Sequence, residues 1–333
     1  MRIFSGIQPT GRKHLGNYIG AIRRYVEGQD EAGESIYCVV DLHATTVPFD
    51  PSDLRARVYD TVAILIAAGL DPDRCILFRQ SDVTEHPEMS WLLTSVTSWG
   101  DLNRMHQFKE KSAGQRDLVS AGLFTYPVLM AADVLVHRAT HVPVGDDQRQ
   151  HIELMRDIAE RFNARYGDVL VVPEGTYPEI GARIMDLQEP TRKMSTTGGS
   201  AEGTVYVLDE AKTIEKKIKR AVTDSDDPPS IRAGADKPGV TNLLEIFAAA
   251  TGTTIAAAER HFASARGYGD LKSAAADAVV EMLDPVRLRY NELRADEERL
   301  EAILAQGARK ARQNAAVVMQ DVRGVMGVGP FKR

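Results

Sequence analysis

The feature that most constrains the fold of this chain is a rhythm confined to its first half, in which short apolar runs alternate with helix-length segments. Residues 2–7, 35–41 and 75–80 read as buried strands. Between them lie an amphipathic stretch from Leu15 or Gly16 to near Gly28 and a helix over 51–70, with Pro51 early and Gly69 near its end. Parallel strands need long crossovers, whereas antiparallel ones need only a turn, so strands spaced by helices predict a parallel, doubly wound α/β sheet.

Further along, 81–121 reads as mostly helical, with an apolar run SWLLTSVTSWG and a polar loop MHQFKEKSAGQRD. That apolar run is either a face buried against another molecule or internal core. Residues 119–137 form a long apolar helix in which Pro127 either introduces a kink or marks a first turn. A short strand over 141–144 leads through GDD into a charged helix from about Gln148 to Tyr166. From Asp209 on, every strong pattern is helical, including one long stretch over 284–326. The loop VTDSDDPPS, with Gly234 and Gly239 beyond it, interrupts that half.

Composition narrows the function. A chain of 333 residues with 43% hydrophobic and 26% charged residues folds as about two globular domains. No apolar run reaches the roughly 18 residues of a membrane span, so no membrane partner is expected. The start, MRIFSGIQPTGRK, has no export signature, which predicts a cytoplasmic protein. Cys38 and Cys75 are too few for a disulfide framework or a zinc site and read as buried thiols. A net charge of −6 disfavours a generally basic nucleic-acid binder and leaves room only for a local basic face.

Two stretches are candidates for phosphate chemistry, although taken alone the first also reads as a capped turn and the second as a solvated linker. Gln8-Pro9-Thr10-Gly11-Arg12-Lys13-His14-Leu15-Gly16-Asn17 joins the first strand to the first helix, and a helix start offers free N–H groups to an anion. His14 and Asn17, three apart, share a helical face as two donors. This pattern lacks the GxGxxG of a dinucleotide fold, which counts against a nicotinamide oxidoreductase. The second stretch, Arg192-Lys193-Met194-Ser195-Thr196-Thr197-Gly198-Gly199-Ser200, pairs a lysine with hydroxyls and glycines. Asp133, in the apolar run PVLMAADVLV, is a third feature, since a buried acid without a purpose is costly. His137 and His141 have metal-like spacing, but Pro143 and the break to a strand keep them off a common helix face. Lys212, Lys216, Lys217, Lys219 and Arg220 form either a solvated face or an RNA-facing patch.

Taken together, these segments resemble a known family. HLGN resembles the HIGH motif of class I aminoacyl-tRNA synthetases, and KMSTT resembles their KMSKS motif. GDDQRQHIELMRDIAERFN resembles the Gly-x-Asp-Gln element of the tryptophan and tyrosine branch. FSGIQPTG, HLGNYIGA, VDLHA, TYPVLMAADVL, GARIMDL and KTIEKKIKRAVTDS are similar to bacterial-type tryptophanyl-tRNA synthetases over nearly the whole chain.

The resemblance implies a Rossmann-like catalytic domain over 1–46 and 122–206 and an insertion over 47–121 with dimer contacts. It also implies an all-helical domain over 207–333 that reads the tRNA anticodon region. Gln8, Pro9, Thr10, Gly16 and Asn17 match the ATP signature, and Gly145, Asp146, Asp147 and Ile184 match contacts to adenosine. His14 and Asn17 would hold ATP phosphates. In the KMSTT loop, Lys193, Met194, Ser195, Thr196 and Thr197 would face the departing pyrophosphate, with Lys193 and Ser195 stabilising its charge. Asp133 matches the indole reader. Phe4, His43, Met130, Val142 and Val144 would wall the pocket, with Tyr126 and Gln148 near the ammonium or the floor. The implied partners are tRNA(Trp), L-tryptophan, ATP with Mg2+ and a second copy of the chain; neither DNA nor a protein-held metal is implied. Thr196 stands where the family commonly has a second lysine, with the Arg192 guanidinium nearby. The nearest rival is a tyrosyl-tRNA synthetase of the same fold. A more distant one is a non-catalytic RNA-binding relative.

Overall fold

In the computed structural model, the residues described are 1–31, 33–113, 119–177, 184–195, 199–226 and 228–329. Strand β1 (Arg2–Ile7) ends in the Gln8–Lys13 turn. Helix α1 (Leu15–Asn17) follows and runs without a break through a π-helical stretch, Tyr18–Ile22, into α2 (Arg23–Glu31). Then come β2 (Glu34–Val39), α3 (Asp41–Ala44), α4 (Pro51–Ala67) and β3 (Ile76–Arg79). These three strands and β4 (His141–Pro143) pair in parallel, as the rhythm predicted. A fifth strand, β5 (Glu174–Thr176), pairs with β4. Its three residues, Glu-Gly-Thr, carry no apolar signal that a sequence could betray.

The strand order is β3-β2-β1-β4-β5. The chain moves outward from β1 to β2 and β3, then returns to the other side of β1 with β4. The gap between β1 and β4 is therefore the topological switch point, where an open parallel sheet leaves a crevice at its carboxyl ends. Alternation along β2 builds a core on each face. Tyr37 and Val39 join Leu15, Ile22, Val62 and Leu65 on one side, whereas Ile36 and Cys38 join Phe4, Phe78, Val128 and Leu135 on the other. Both thiols are buried and free.

Helices α5 (Glu85–Thr94), α6 (Trp99–Asn103), α7 (His106–Ala113), α8 (Ala121–Leu135) and α9 (Arg149–Tyr166) cover the second face. Ser120 caps α8 by accepting from the Leu123 N–H at 3.1 Å, so Pro127 lies inside that helix and not in its first turn. Strand β3 and helix α4 belong to the sheet and its core, so the 47–121 segment carries part of the sheet as well as helices.

The second half is helical: α10 (Ala211–Lys219), α11 (Pro238–Thr251), α12 (Ile255–His261), α13 (Tyr268–Arg294) and α14 (Glu297–Met326). The expected boundary near Asp284 is absent, because α13 continues through Pro285. The break comes at Ala295–Asp296, where Asp296 accepts from the Arg299 N–H at 2.9 Å and starts α14. Leu300 and Leu304 of α14 pack in the first core, and Ala308, Ala311, Ala315 and Met319 pack in the second. Gly307 lies at the crossover, where a Cβ would stand 1.8 Å from the Leu77 carbonyl oxygen of the edge strand β3. Only glycine admits that approach. No single helix among the described residues is long and apolar enough to cross a membrane.

Candidate active site

The carboxyl ends of β1 and β4 open into a cavity of ≈ 730 Å3, within the usual range for small-molecule sites. Phe4, His43, Met130, Val142 and Val144 line it as expected, and Asp133, Tyr126 and Gln148 also face it. Gln8, Gly145 and Asp147 stand at the same opening. A Cβ on Gly145 would sit 2.6 Å from Asp147 Oδ1, so this carboxylate folds back over the Gly145 backbone. The Tyr126 hydroxyl bridges Gln107 Oε1 (3.1 Å) and His151 Nε2 (2.8 Å), and burial pushes its pKa up to about 12, keeping it neutral.

Asp133 is 2% exposed. Its Oδ1 accepts from Gln80 Nε2 at 2.7 Å and faces His86 Nδ1 at 2.6 Å, and its Oδ2 faces His43 Nε2 at 2.9 Å. Burial alone would raise this carboxyl. The hydrogen bonds from His43 and His86, and then their charges, outweigh burial and hold it at about 2. An ionised carboxylate offers about four lone-pair sites, and three are filled. The remaining one is on Oδ2, the oxygen shared with the cavity-lining His43. Gln80 and His86 stand behind, outside the cavity lining.

The phosphate-type residues lie beyond this cavity. His14 is the N-cap of α1, and it and Asn17 bond reciprocally: His14 Nδ1 accepts the Asn17 N–H at 3.3 Å, and Asn17 Oδ1 accepts the His14 N–H at 3.1 Å. Leu15 N–H donates to the Val205 carbonyl at 2.8 Å. The helix start is thus less open than its sequence suggests, and among the first three helical N–H groups Gly16 is the one left for a ligand. Because Nδ1 accepts, the neutral His14 ring carries its proton on Nε2, which is the outward donor together with Asn17 Nδ2. Burial, then the charges of Lys193 and Lys13, lower the His14 pKa to about 4. The Lys13 ammonium caps the Gln8 carbonyl at 2.6 Å, and burial, then Arg57, brings its pKa down to about 8.

Backbone bonds hold the second stretch to Ile184 and Asp186, and hold the 205–207 segment to the first. Met194 N–H donates to Ile184 O (3.1 Å), Asp186 N–H to Arg192 O (2.8 Å) and Val207 N–H to Lys13 O (2.9 Å). Ile184 and Met194 do not line the cavity; both are buried with Leu15, Leu187 and Val205, where they anchor the loop. A Cβ on Gly16 would touch the His14 ring at 3.1 Å and Ile184 Cβ at 3.6 Å, so the HLGN turn and Ile184 are in direct apposition. Lys193 is exposed and has no carboxylate partner among the described residues. Ser195 is half-buried, and its carbonyl accepts from Thr204 Oγ1 at 3.3 Å. Pro9 is buried and Thr10 exposed in the turn. Thr196, Thr197 and the Asp146 side chain lie outside the described residues.

Sequence reasoning missed Gln80, His86 and His137. Gln80 follows directly on β3, and a polar residue at the carboxyl end of a parallel strand was the available signal. His137 is turned toward His86 and away from His141. No group of three or more His, Cys, Asp or Glu among the described residues is placed to hold a metal. In the basic cluster, Lys217 is tied to Asp209 (2.6 Å) and the Thr204 carbonyl (2.7 Å), and Lys212, Lys216, Lys219 and Arg220 are exposed.

Comparison with known proteins agrees with this geometry. The family described as tRNA synthetases class I (W and Y) matches residues 1–284. A protein named tryptophan–tRNA ligase 2 from Streptomyces avermitilis is 49% identical over 99% of this chain and 98% of its own length. The crystal structure of tryptophanyl-tRNA synthetase from Mycoplasma pneumoniae aligns with a TM-score of 0.89 at 35% identity, covering 98% of both chains. The Campylobacter jejuni enzyme complexed with ADP and tryptophan aligns with a TM-score of 0.85 at 32% identity, covering 98% of this chain and 100% of that one. A chain matched along nearly its whole length, with a carboxylate-floored cavity and an HLGN turn packed on Ile184, belongs to the bacterial-type tryptophanyl-tRNA synthetases of class I.

Proposed function

We propose that the protein joins tryptophan to its tRNA in two steps. In the first, a tryptophan carboxylate oxygen attacks the α-phosphorus of ATP, forming tryptophanyl-adenylate as the bond to pyrophosphate breaks. In the second, the terminal ribose hydroxyl of the tRNA attacks the adenylate carbonyl and AMP leaves. The observation that carries this reading is the single open lone pair of the Asp133 carboxylate on the floor of an apolar cavity. An indole N–H can only donate, and it fits that acceptor.

His14 Nε2–H, Asn17 Nδ2 and the Gly16 N–H receive phosphate oxygens, with Lys193 and Ser195 on the pyrophosphate side. Gln8, Gly145 and Asp147 face the nucleoside. The chain contributes little covalent chemistry. It aligns the carboxylate with the α-phosphorus and offers cations and donors where negative charge grows. Mg2+ arrives with ATP as part of the substrate. With Thr196 in place of a second loop lysine, Lys193 carries more of the pyrophosphate charge, helped by Arg192.

Trp91 and Trp99, 77% and 68% exposed, support homodimer contacts through 47–121. The exposed cations of α10 support a tRNA-facing role within the helical 207–333 part. Charging of tRNA also places the protein in the cytoplasm. The test is pyrophosphate exchange with each of the twenty amino acids. Exchange with tryptophan alone is the expected result, and exchange that follows tyrosine instead overturns the reading.

A further inference from the structure

Asp133 is gripped from behind by a pair of histidines that the reaction does not otherwise use. His86, on α5, meets Asp133 Oδ1 through Nδ1, and its Nε2 lies 3.0 Å from Nε2 of His137. Both rings are fully buried. Phe4 stacks on His137 at 5.8 Å, and Phe78 sets its edge against His86 (5.5 Å) and His137 (5.8 Å). The pair therefore sits in an aromatic cage that fixes both ring planes.

Proton positions follow from the donors and acceptors available. An ionised carboxylate only accepts, so His86 Nδ1 carries a proton. Of the two facing Nε2 atoms, one donates and the other accepts. If His86 donated there, neutral His137 would bear its proton on Nδ1, a buried atom with no hydrogen-bond partner. If His137 donates, Nδ1 is merely an unfilled acceptor, which is the cheaper orphan. Burial keeps His137 well below the usual histidine range and therefore neutral. Every N–H in the relay thus points toward Asp133.

We propose that His86, backed by His137, is a positioning residue for substrate selection, pinning Oδ1 of Asp133 and so turning the open lone pair of Oδ2 to the cavity. The Gln80 amide is the second donor on Oδ1. Without His86, Oδ1 keeps one donor, and the carboxylate is free to rotate Oδ2 away from the cavity. The inference rests on the tryptophan reading above and names what makes that reading selective.

The test is pyrophosphate exchange by the full chain with tryptophan and with its isostere in which sulfur replaces the indole N–H. In His86→Leu, the KM for tryptophan should rise at least about twentyfold with kcat changed about threefold or less, and the preference over the isostere should fall about tenfold. In His86→Asn, which puts an amide N–H at the place of Nδ1, the preference should stay within about threefold of the unaltered protein, and His137→Leu should lower it by about threefold. An unchanged preference in a folded His86→Leu overturns the inference while leaving the tryptophan reading intact. Absence of tryptophan-dependent exchange in the unaltered protein overturns both. If His86→Leu does not fold, 15N spectra of the unaltered protein decide: Nδ1–H on His86 supports the relay, and a lone Nε2–H on His86 removes it.

Discussion

The two halves of the site solve opposite electrostatic problems. On the amino-acid side, one buried negative charge is almost fully answered by the protein, with three donors on Asp133 and a single lone pair left over. On the phosphate side, positive charge is left largely unanswered. Lys193 has no carboxylate partner among the described residues, Lys13 bonds only backbone carbonyls, and their combined field helps to depress His14. Under the proposed function, the first half is a finished receptor that selects by the one contact it lacks. The second is a surplus of cations that a highly charged ligand completes, which suits a step whose negative charge shifts as pyrophosphate departs.

The strongest way to break this contrast is Asp133→Ala. It removes the indole acceptor and strands three buried donors, so kcat/KM for tryptophan should drop by about 10³ or more and the preference for tryptophan over phenylalanine should collapse. Retained preference would show that another group reads the indole. Next in size is Lys193→Ala, which should slow adenylate formation by about 10²-fold while tryptophan binding, followed by calorimetry, stays nearly constant. An unaltered single-turnover rate would remove the KMST segment from the chemistry.

The smallest effect is a pH signature. His14 has a folded pKa of about 4, below its unfolded value of 6.5. The unfolded chain therefore binds the proton first, and stability falls as the pH drops from about 6.5 toward 4 and is unaffected above that window. The loss is on the order of 3 kcal/mol at its full extent. Urea midpoints at pH 7 and pH 4.5 should differ less in His14→Asn than in the unaltered chain, and an equal difference in both would mean that burial and the nearby cations do not depress His14. Saturation with ATP should shrink the effect further, because phosphate neutralises the same field.

How much of this was legible in the sequence depends on whether the signal was local. The HLGN turn, Lys193–Ser195 and the acid in PVLMAADVLV are each local signals, and the structure places Asp133 on the cavity, His14 at the start of α1 and Lys193 on the surface. The relay behind Asp133 was not legible. Gln80, His86 and His137 come from the end of β3, from α5 and from the turn after α8, and only the folded sheet brings them together. Ile184 and Met194, which the family resemblance matched to nucleotide contacts, have their side chains in the core. Strand β5 was missed because three residues paired at a sheet edge need no hydrophobic pattern, and the helical stretch read over 284–326 is divided instead between α13 and α14.

The crossing of α14 at Gly307 has a consequence for synthesis. Leu77 belongs to an edge strand, and the helix that seals it, Glu297–Met326, starts about 220 residues later. The nascent sheet therefore keeps one flank bare until those later residues are made and folded. A message truncated a few dozen codons early would yield a chain with all five strands and an open seam for its neighbours to join.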